Sequence, residues 1–131
     1  MKHRDTRRCT YVSPDIDSSA SAEDRPLIWL HGEIRTPPFS AEARREAGFL
    51  LRRLQRGELL AMPQSRPMPR IGKRCQELRV MDADVTWRIF CRVDPDAVLI
   101  LEVCAKKTAT TPRQTITSCQ RRLREYDDES G

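Results

Sequence analysis

Charged residues alternate with apolar ones in two neighbouring segments of the chain, residues 75–80 and 85–93. If both segments are strands of one sheet, a period of two places these charged side chains on one side of that sheet. They are Glu77, Arg79, Arg88 and Arg92. Further basic residues flank them, in the loop before the first segment and after the next apolar segment: Arg70, Lys73, Arg74, Lys106 and Lys107. This pattern predicts a groove that binds a polyanion.

The same cluster contains the groups that RNA cleavage without a metal ion requires. Attack by a ribose 2′-OH on the neighbouring phosphate needs a base, cations around the phosphorane and a proton for the leaving 5′-oxygen. The candidates are Glu77 as base, Arg79 and Arg88 as stabilising cations, and Lys106 or Lys107 beside the leaving group. The alternative is a structural ion pair between Glu77 and Arg79 or Arg88. The residues alone leave both interpretations open.

Other chemistries lack their motifs. The chain has two histidines and no Cys-x-x-Cys pair, and its five glycines form neither a P-loop nor a dinucleotide fingerprint. No Gly-x-Ser-x-Gly sequence supports a serine hydrolase. Free cysteines are most often small buried side chains, which is the role expected for Cys75, Cys91, Cys104 and Cys119. The sequence therefore predicts no metal site and no cofactor.

Hydrophobic periodicity and turn signals predict the elements that position these residues. A short apolar run at residues 26–30 indicates a buried strand. Ser40 can cap a helix whose apolar residues recur at spacings of three and four as far as Leu54, before Gly57. Residues 62–69 contain three prolines and predict a loop. Residues 75–80, 85–93 and 97–104 predict an antiparallel meander.

The C-terminal segment carries the signals of a helix start. Thr111, Pro112 and Gln114 stand where an N-cap, a first-turn proline and a capping-box partner belong. A helix over residues 112–126 would place Ile116, Cys119, Leu123 and Tyr126 on one stripe. The predicted order of elements is strand, helix, three strands, helix.

Length and charge indicate one small basic domain. The chain has 131 residues, with 24 Lys and Arg against 19 Asp and Glu, and a formal net charge of +5. Residues 1–25 are neutral overall and poor in large apolar side chains, which predicts a flexible extension before a folded domain at residues 26–131. No apolar stretch approaches the roughly 20 residues of a membrane span, and no secretory signal is present, so a cytoplasmic location is expected.

A series of short motifs runs in order through residues 29–127. They are Leu30-His31-Gly32-Glu33-Ile34, Thr36-Pro37-Pro38-Phe39, Ala43-Arg44-Arg45-Glu46-Ala47-Gly48, Leu50 to Glu58, Met62-Pro63, Glu77-Leu78-Arg79, Trp87-Arg88-Ile89, Lys106-Lys107-Thr108 and Thr111-Pro112. In this order they resemble the phage-derived, HigB-like branch of the RelE/ParE superfamily, the toxins of type II toxin-antitoxin systems.

The resemblance implies a RelE-like α+β fold, with a curved, mainly antiparallel sheet, helices packed on one face and RNA met on the other. It also implies an antitoxin partner, often a helix-turn-helix protein. Arg79 and Arg88 match strand arginines of the RelE-like nucleases, and Lys106 and Lys107 match basic residues after their last strand. No histidine or tyrosine directly follows the last strand here, so the resemblance supplies no general acid.

The function implied is a toxin that cleaves mRNA on the ribosome without a metal ion, an endoribonuclease using 2′-OH attack. Two alternatives stand beside it. Members of the superfamily similar to ParE inhibit DNA gyrase, and a phage-derived structural protein could keep the fold without the activity.

Overall fold

The computed structural model describes residues 24–130. In chain order the elements are β1 (Leu27–Trp29), α1 (Ala41–Gln55), β2 (Ser65–Pro67), β3 (Cys75–Met81), β4 (Thr86–Val93), β5 (Val98–Ala105) and α2 (Arg113–Ser130). The five strands form one sheet in the order β1-β5-β4-β3-β2. β1 runs parallel to β5, and the other neighbours are antiparallel. The α+β class and the predicted meander are thus confirmed.

Backbone hydrogen bonds close both turns of the meander. The N–H of Asp82 donates to the carbonyl of Val85, and that of Asp94 donates to Ala97, each at 2.8 Å. β3 and β4 pair in an unbroken register, whereas the register between β4 and β5 shifts beside Phe90. Such a bulge bends the strand that carries the extra residue and increases the local twist.

The N-terminus of α1 is tied to the β3–β4 turn. The hydroxyl of Ser40 caps the helix by accepting from the N–H of Ala43 at 3.0 Å. Asp82 Oδ2 accepts from the Ser40 N–H and from Trp87 Nε1–H, both at 3.0 Å, and its other oxygen accepts from the Ala83 N–H. These donors hold the pKa of the Asp82 carboxyl well below its usual range. The cap predicted at Ser40 is confirmed, and one carboxylate fixes the helix to the sheet.

The two helices pack on opposite faces of the sheet. Under α1 lies a core cluster that includes Leu50 and Ile89, and under α2 lies a second cluster that includes Phe90, Leu99 and Cys119. The expectation that the helices share one face is therefore wrong for α2. The physical reason is that β5 is apolar on both sides and β4 adds Phe90 on the α2 side, so each face of the sheet has apolar side chains to bury.

Residues 62–69 are not entirely loop, because β2 lies within them. Ser65 pairs with Leu78 and Pro67 with Gln76, which makes β2 a three-residue edge strand antiparallel to β3. Proline lacks the N–H that an interior strand would need to donate, and is tolerated at an edge. Pairing with β3 thus creates a strand that local composition does not predict.

The start of α2 differs from the predicted capping box. The helix begins at Arg113, and the carbonyl of Pro112 accepts from the N–H groups of Thr115 and Ile116. The side chain of Thr111 is buried, and its hydroxyl has no hydrogen-bond partner among the described residues. Thr111 is therefore not the cap that the sequence indicates.

The predicted extension at residues 1–25 falls mostly outside the described residues. Arg25 is described and is hydrogen-bonded to the end of α1: its N–H donates to the carbonyl of Gln55 at 2.9 Å, and Gln55 Nε2 donates back at 2.8 Å. The turn after α1 passes Arg25 at Gly57, whose φ is +89°. Within residues 24–130, neither helix has the length and hydrophobicity of a membrane span.

Candidate nucleic-acid interface

Three arginines from three adjacent strands surround the carboxylate of Glu77; we call these four residues the Glu77 cluster. Arg66 of β2 lies 3.2 Å from Glu77 Oε1, Arg79 of β3 lies 3.5 Å from the same oxygen, and Arg88 of β4 lies 2.5 Å from Oε2. Arg79 and Arg88 are directly opposite in the β3–β4 register. Like charges in that position repel each other. The shared carboxylate offsets this repulsion, and the cluster keeps an excess of two positive charges.

Burial divides this cluster into an inner pair and an outer pair. Glu77 is 0% exposed and Arg88 is 2% exposed. The side chains of Arg79 and Arg66 remain 24% and 33% exposed. A ribose hydroxyl has no access to the Glu77 carboxylate in this conformation, whereas a phosphate can approach the two outer guanidinium groups.

The inner arginine also holds the segment that follows β5. Arg88 Nη2 donates to the carbonyls of Thr108 and Ala109 at 3.3 and 3.4 Å. The backbone N–H of Lys106 donates to the carbonyl of Thr86 at 2.7 Å, which extends the β4–β5 pairing by one residue. Lys107 is exposed. The two lysines thus emerge at the end of the last strand, as predicted, and the residues that follow them contact Arg88.

The thiol of Cys104 lies among these charges. Burial raises the pKa of Cys104, and the negative charges of Glu102 and Glu77 add to that rise, while the positive charges of Arg88 and Lys107 oppose it. Cys104 is directly opposite Arg88 in the register. The predicted role of the cysteines as buried side chains fits Cys75, Cys91 and Cys119 in full, whereas Cys104 is half-buried.

At the other end of the same sheet face, Arg92 has a different environment; we call Arg92 and its partners the Arg92 cluster. Its guanidinium lies 2.8 Å from Asp94 Oδ1 and 2.8 Å from Asp127 Oδ1 near the end of α2. Arg74 lies 3.1 Å from Asp94. Hydrogen bonds to Asp127 and Asp94 raise the pKa of Arg92, and the bond from Arg92 holds the pKa of Asp127 below its ordinary value. Two arginines and two carboxylates leave this cluster neutral.

The predicted RNA-binding residues therefore separate into two groups. Arg92 is buried and paired, and together with Lys73 and Arg74 it lines a cavity of about 540 Å³ beside α2. Arg70 is exposed and lines a cleft of about 300 Å³ that also includes Arg66 of the Glu77 cluster. The single groove predicted from the sequence is divided, because α2 covers the sheet face between its two ends.

Arg66 is the member of the site that the sequence did not indicate. It is directly opposite Glu77 in the β2–β3 register. The nearby Pro67 and Pro69 favour a loop over a strand, and three residues are too few to show an alternation of polar and apolar side chains. Its one signal in the sequence is that it is a basic residue a short loop before the strand that carries Glu77.

Among residues 24–130, no three His, Cys, Asp or Glu side chains come together in a way that could hold a metal ion. The Glu77 cluster offers guanidinium groups, and Lys106 and Lys107 after β5 offer ammonium groups. Such groups bind phosphate and stabilise the charge that develops on it during transfer or cleavage.

A known family matches most of the chain. The model for the family described as Phage derived protein Gp49-like (DUF891) matches residues 37–124, a range that contains the Glu77 cluster and both lysines. Neither the curated proteins nor the solved structures include a significant match. The family is related to the RelE and HigB toxins of toxin-antitoxin systems. The chain thus belongs to the phage-derived Gp49-like family, which is part of the superfamily of toxins from toxin-antitoxin systems.

Proposed function

We propose that this protein is the toxin of a type II toxin-antitoxin system and that it cleaves mRNA on the ribosome without a metal ion. The observation that supports the proposal is the unbalanced Glu77 cluster, three guanidinium groups around one carboxylate with Lys106 and Lys107 alongside. No carboxylate of the described residues lies within ion-pair distance of either lysine. A phosphodiester therefore has exposed cations to bind.

In this proposal the outer residues contact the RNA and the inner pair holds them in place. Arg79 and Lys107 bind the scissile phosphate and stabilise the phosphorane as the 2′-oxygen attacks, since donors fixed before the reaction lower its barrier most. Lys106 or Lys107 protonates the leaving 5′-oxygen, and the proton of the attacking 2′-hydroxyl passes to solvent water. The products are a 2′,3′-cyclic phosphate and a free 5′-hydroxyl.

Glu77 takes part indirectly in this mechanism. Its carboxylate is buried and neutralises part of the charge of Arg88 and Arg79, which keeps both guanidinium groups in place. Arg88 in turn holds the segment that carries the lysines, through the carbonyls of Thr108 and Ala109. Both residues are positioning residues here.

The partners in this proposal are the translating ribosome with its mRNA and a cognate antitoxin of the helix-turn-helix type. An antitoxin that covers or deforms the surface around Arg79 and Lys107 would exclude mRNA. The proposed place of action is the cytoplasm, where translation supplies the substrate.

The test is induced expression with mapping of mRNA 5′ ends, compared with Arg79→Gln and Lys107→Ala. Arg121→Gln is a matched control, since Arg121 is an exposed arginine on α2 that pairs with Glu125. We expect translation-dependent cleavage with the wild type and the control, and little with the two site variants. Growth arrest with unchanged mRNA ends would overturn the proposal, and DNA damage in those cells would favour gyrase inhibition. Harmless expression without an antitoxin would favour an inactive phage-derived protein.

A further inference from the structure

The cleft beside the Glu77 cluster contains a hydroxyl that the fold does not use. Thr111 is 7% exposed, and its Oγ1 has no hydrogen-bond partner among the described residues. A buried hydroxyl without a partner costs free energy, so native structures rarely keep one. Thr111 lines the cleft, and its hydroxyl is covered in this conformation. Because χ1 of threonine has staggered alternatives, a molecule bound in the cleft can select the rotamer that turns the hydroxyl toward it.

The other walls of the cleft supply positive charge and apolar surface. Arg66 and Arg70 contribute guanidinium groups, and Pro67, Met68 and Pro69 contribute apolar contacts. The Nε of Arg66 is buried and has no hydrogen-bond acceptor among the described residues, although its Nη2 contacts Glu77. Within residues 24–130, no carboxylate is in ion-pair contact with Arg70.

The N-terminal end of α2 also favours an anion in this cleft. The helix begins at Arg113, two residues after Thr111, and its first turn has no acidic residue. The N-terminus of a helix carries a partial positive charge that favours an anion. An anion between Arg70 and Thr111 would therefore meet cations and a hydroxyl donor.

We propose that this cleft binds the phosphate of the RNA nucleotide next to the one at Arg79, with Thr111 Oγ1 as a hydrogen-bond donor to it. The inference rests on the proposed function for the identity of the ligand as RNA. Arg66 links the two positions, since it contacts Glu77 and also lines the cleft. Arg70 neutralises the phosphate, and the two prolines with Met68 pack against the ribose or base.

The experiment titrates the ¹⁵N-labelled full chain with a 2′-O-methyl RNA trinucleotide, which cannot be cleaved by 2′-OH attack. We expect saturable shifts of the Thr110, Thr111 and Arg70 amide signals.

Thr111→Val keeps the side-chain shape and loses no internal hydrogen bond, so the variant should fold as stably as the wild type. Loss of a hydrogen bond to a charged phosphate should weaken binding about tenfold. Arg70→Gln should weaken it as well, and Thr117→Val, an exposed threonine of α2, is the control that should not.

A second trinucleotide with uncharged methylphosphonate linkages separates phosphate binding from apolar contact. We expect it to bind much more weakly. Equal binding of the two trinucleotides, or wild-type affinity in Thr111→Val, would overturn the phosphate site. If Thr111-dependent binding is found but the cells show no mRNA cleavage, the endonuclease proposal fails and the phosphate site stands. If mRNA is cleaved and Thr111→Val changes neither binding nor cleavage, the phosphate site alone fails.

Discussion

Two buried arginines, Arg88 and Arg92, lie on the same face of β4 in opposite electrostatic surroundings. Arg88 shares one carboxylate with two other arginines, whereas Arg92 has two carboxylates and shares one of them with Arg74. The Glu77 cluster therefore keeps surplus positive charge, and the Arg92 cluster is neutral. Of the two clusters, only the one around Glu77 has unbalanced positive charge.

The difference comes from what covers each end. α2 crosses the face, and near its C-terminus Asp127 reaches Arg92. At the opposite end, Arg88 meets the carbonyls of the segment before α2, which neutralise no charge. A protein that buries an arginine for structure alone commonly provides a full counter-charge, since an unbalanced buried charge is costly. The unbalanced end is thus where a ligand can supply the missing negative charge.

The largest expected effect is on folding and comes from Glu77→Gln. Arg88 is 2% exposed and would lose the one carboxylate that it contacts among residues 24–130, so we expect the free energy of unfolding to fall by about 3 to 5 kcal/mol. Urea denaturation measures this. Adding Arg88→Met should recover part of the stability without restoring mRNA cleavage. A Glu77→Gln variant that folds with wild-type stability and yet has lost cleavage would instead identify Glu77 as the base.

Arg79→Gln should separate activity from folding. The side chain is partly exposed, and Arg66 and Arg88 remain with Glu77, so we expect the free energy of unfolding to change by less than about 1 kcal/mol. Loss of one preorganised donor to the phosphorane should lower cleavage about a hundredfold. Ribosome-dependent cleavage of a reporter mRNA, with circular dichroism of the same sample, gives both values. Unchanged cleavage would remove Arg79 from the site.

The alternation in β3 and β4 was sufficient to predict that Glu77, Arg79 and Arg88 share a face, because a period of two survives in any regular strand pair. The sequence could not predict which face α2 covers. The stripe of Ile116, Cys119 and Leu123 fits either side of the sheet, because β5 is apolar on both. That choice decides whether an arginine of β4 receives a carboxylate from α2, as Arg92 does from Asp127.

Contacts between distant residues account for the rest of what the sequence missed. Asp127 is 35 residues from Arg92, and no local pattern links them. Arg66 reaches Glu77 through a three-residue strand that forms only when β3 is present. Thr111 matches a capping box in its local sequence, yet the helix starts later and leaves the hydroxyl buried.

Arg92→Met should produce a smaller loss of stability than Glu77→Gln and no loss of cleavage per folded molecule. Asp94 would keep its contact with Arg74, and Asp127 is half-exposed, so neither carboxylate is left buried alone. We expect a decrease of about 1 to 3 kcal/mol in the free energy of unfolding. Thermal unfolding and the reporter assay below the melting temperature test this. Lost cleavage in a fully folded variant would place Arg92 among the RNA-binding residues, as its sequence position first indicated.

The smallest expected effect is a pH dependence at the neutral end. Arg92 lowers the pKa of Asp127 in the folded chain, while the unfolded chain has the ordinary value of about 3.9. A carboxyl with a lowered folded pKa contributes its stability above the unfolded pKa and loses it as the pH falls through the folded pKa. Asp127→Asn should therefore lower the melting temperature slightly at pH 6, and the melting temperature of this variant should fall less between pH 5 and pH 3 than that of the wild type.

Asp82→Asn provides the comparison at the start of α1. There the pKa of the carboxyl is lowered by neutral donors, chiefly the Ser40 N–H, and not by an arginine. Added salt should therefore weaken the contribution of Asp127 more than that of Asp82, because Asp127 is partly exposed and its partner is a full charge. Equal salt sensitivity at the two sites would contradict the assignment of the Arg92 cluster as an electrostatic clamp on α2.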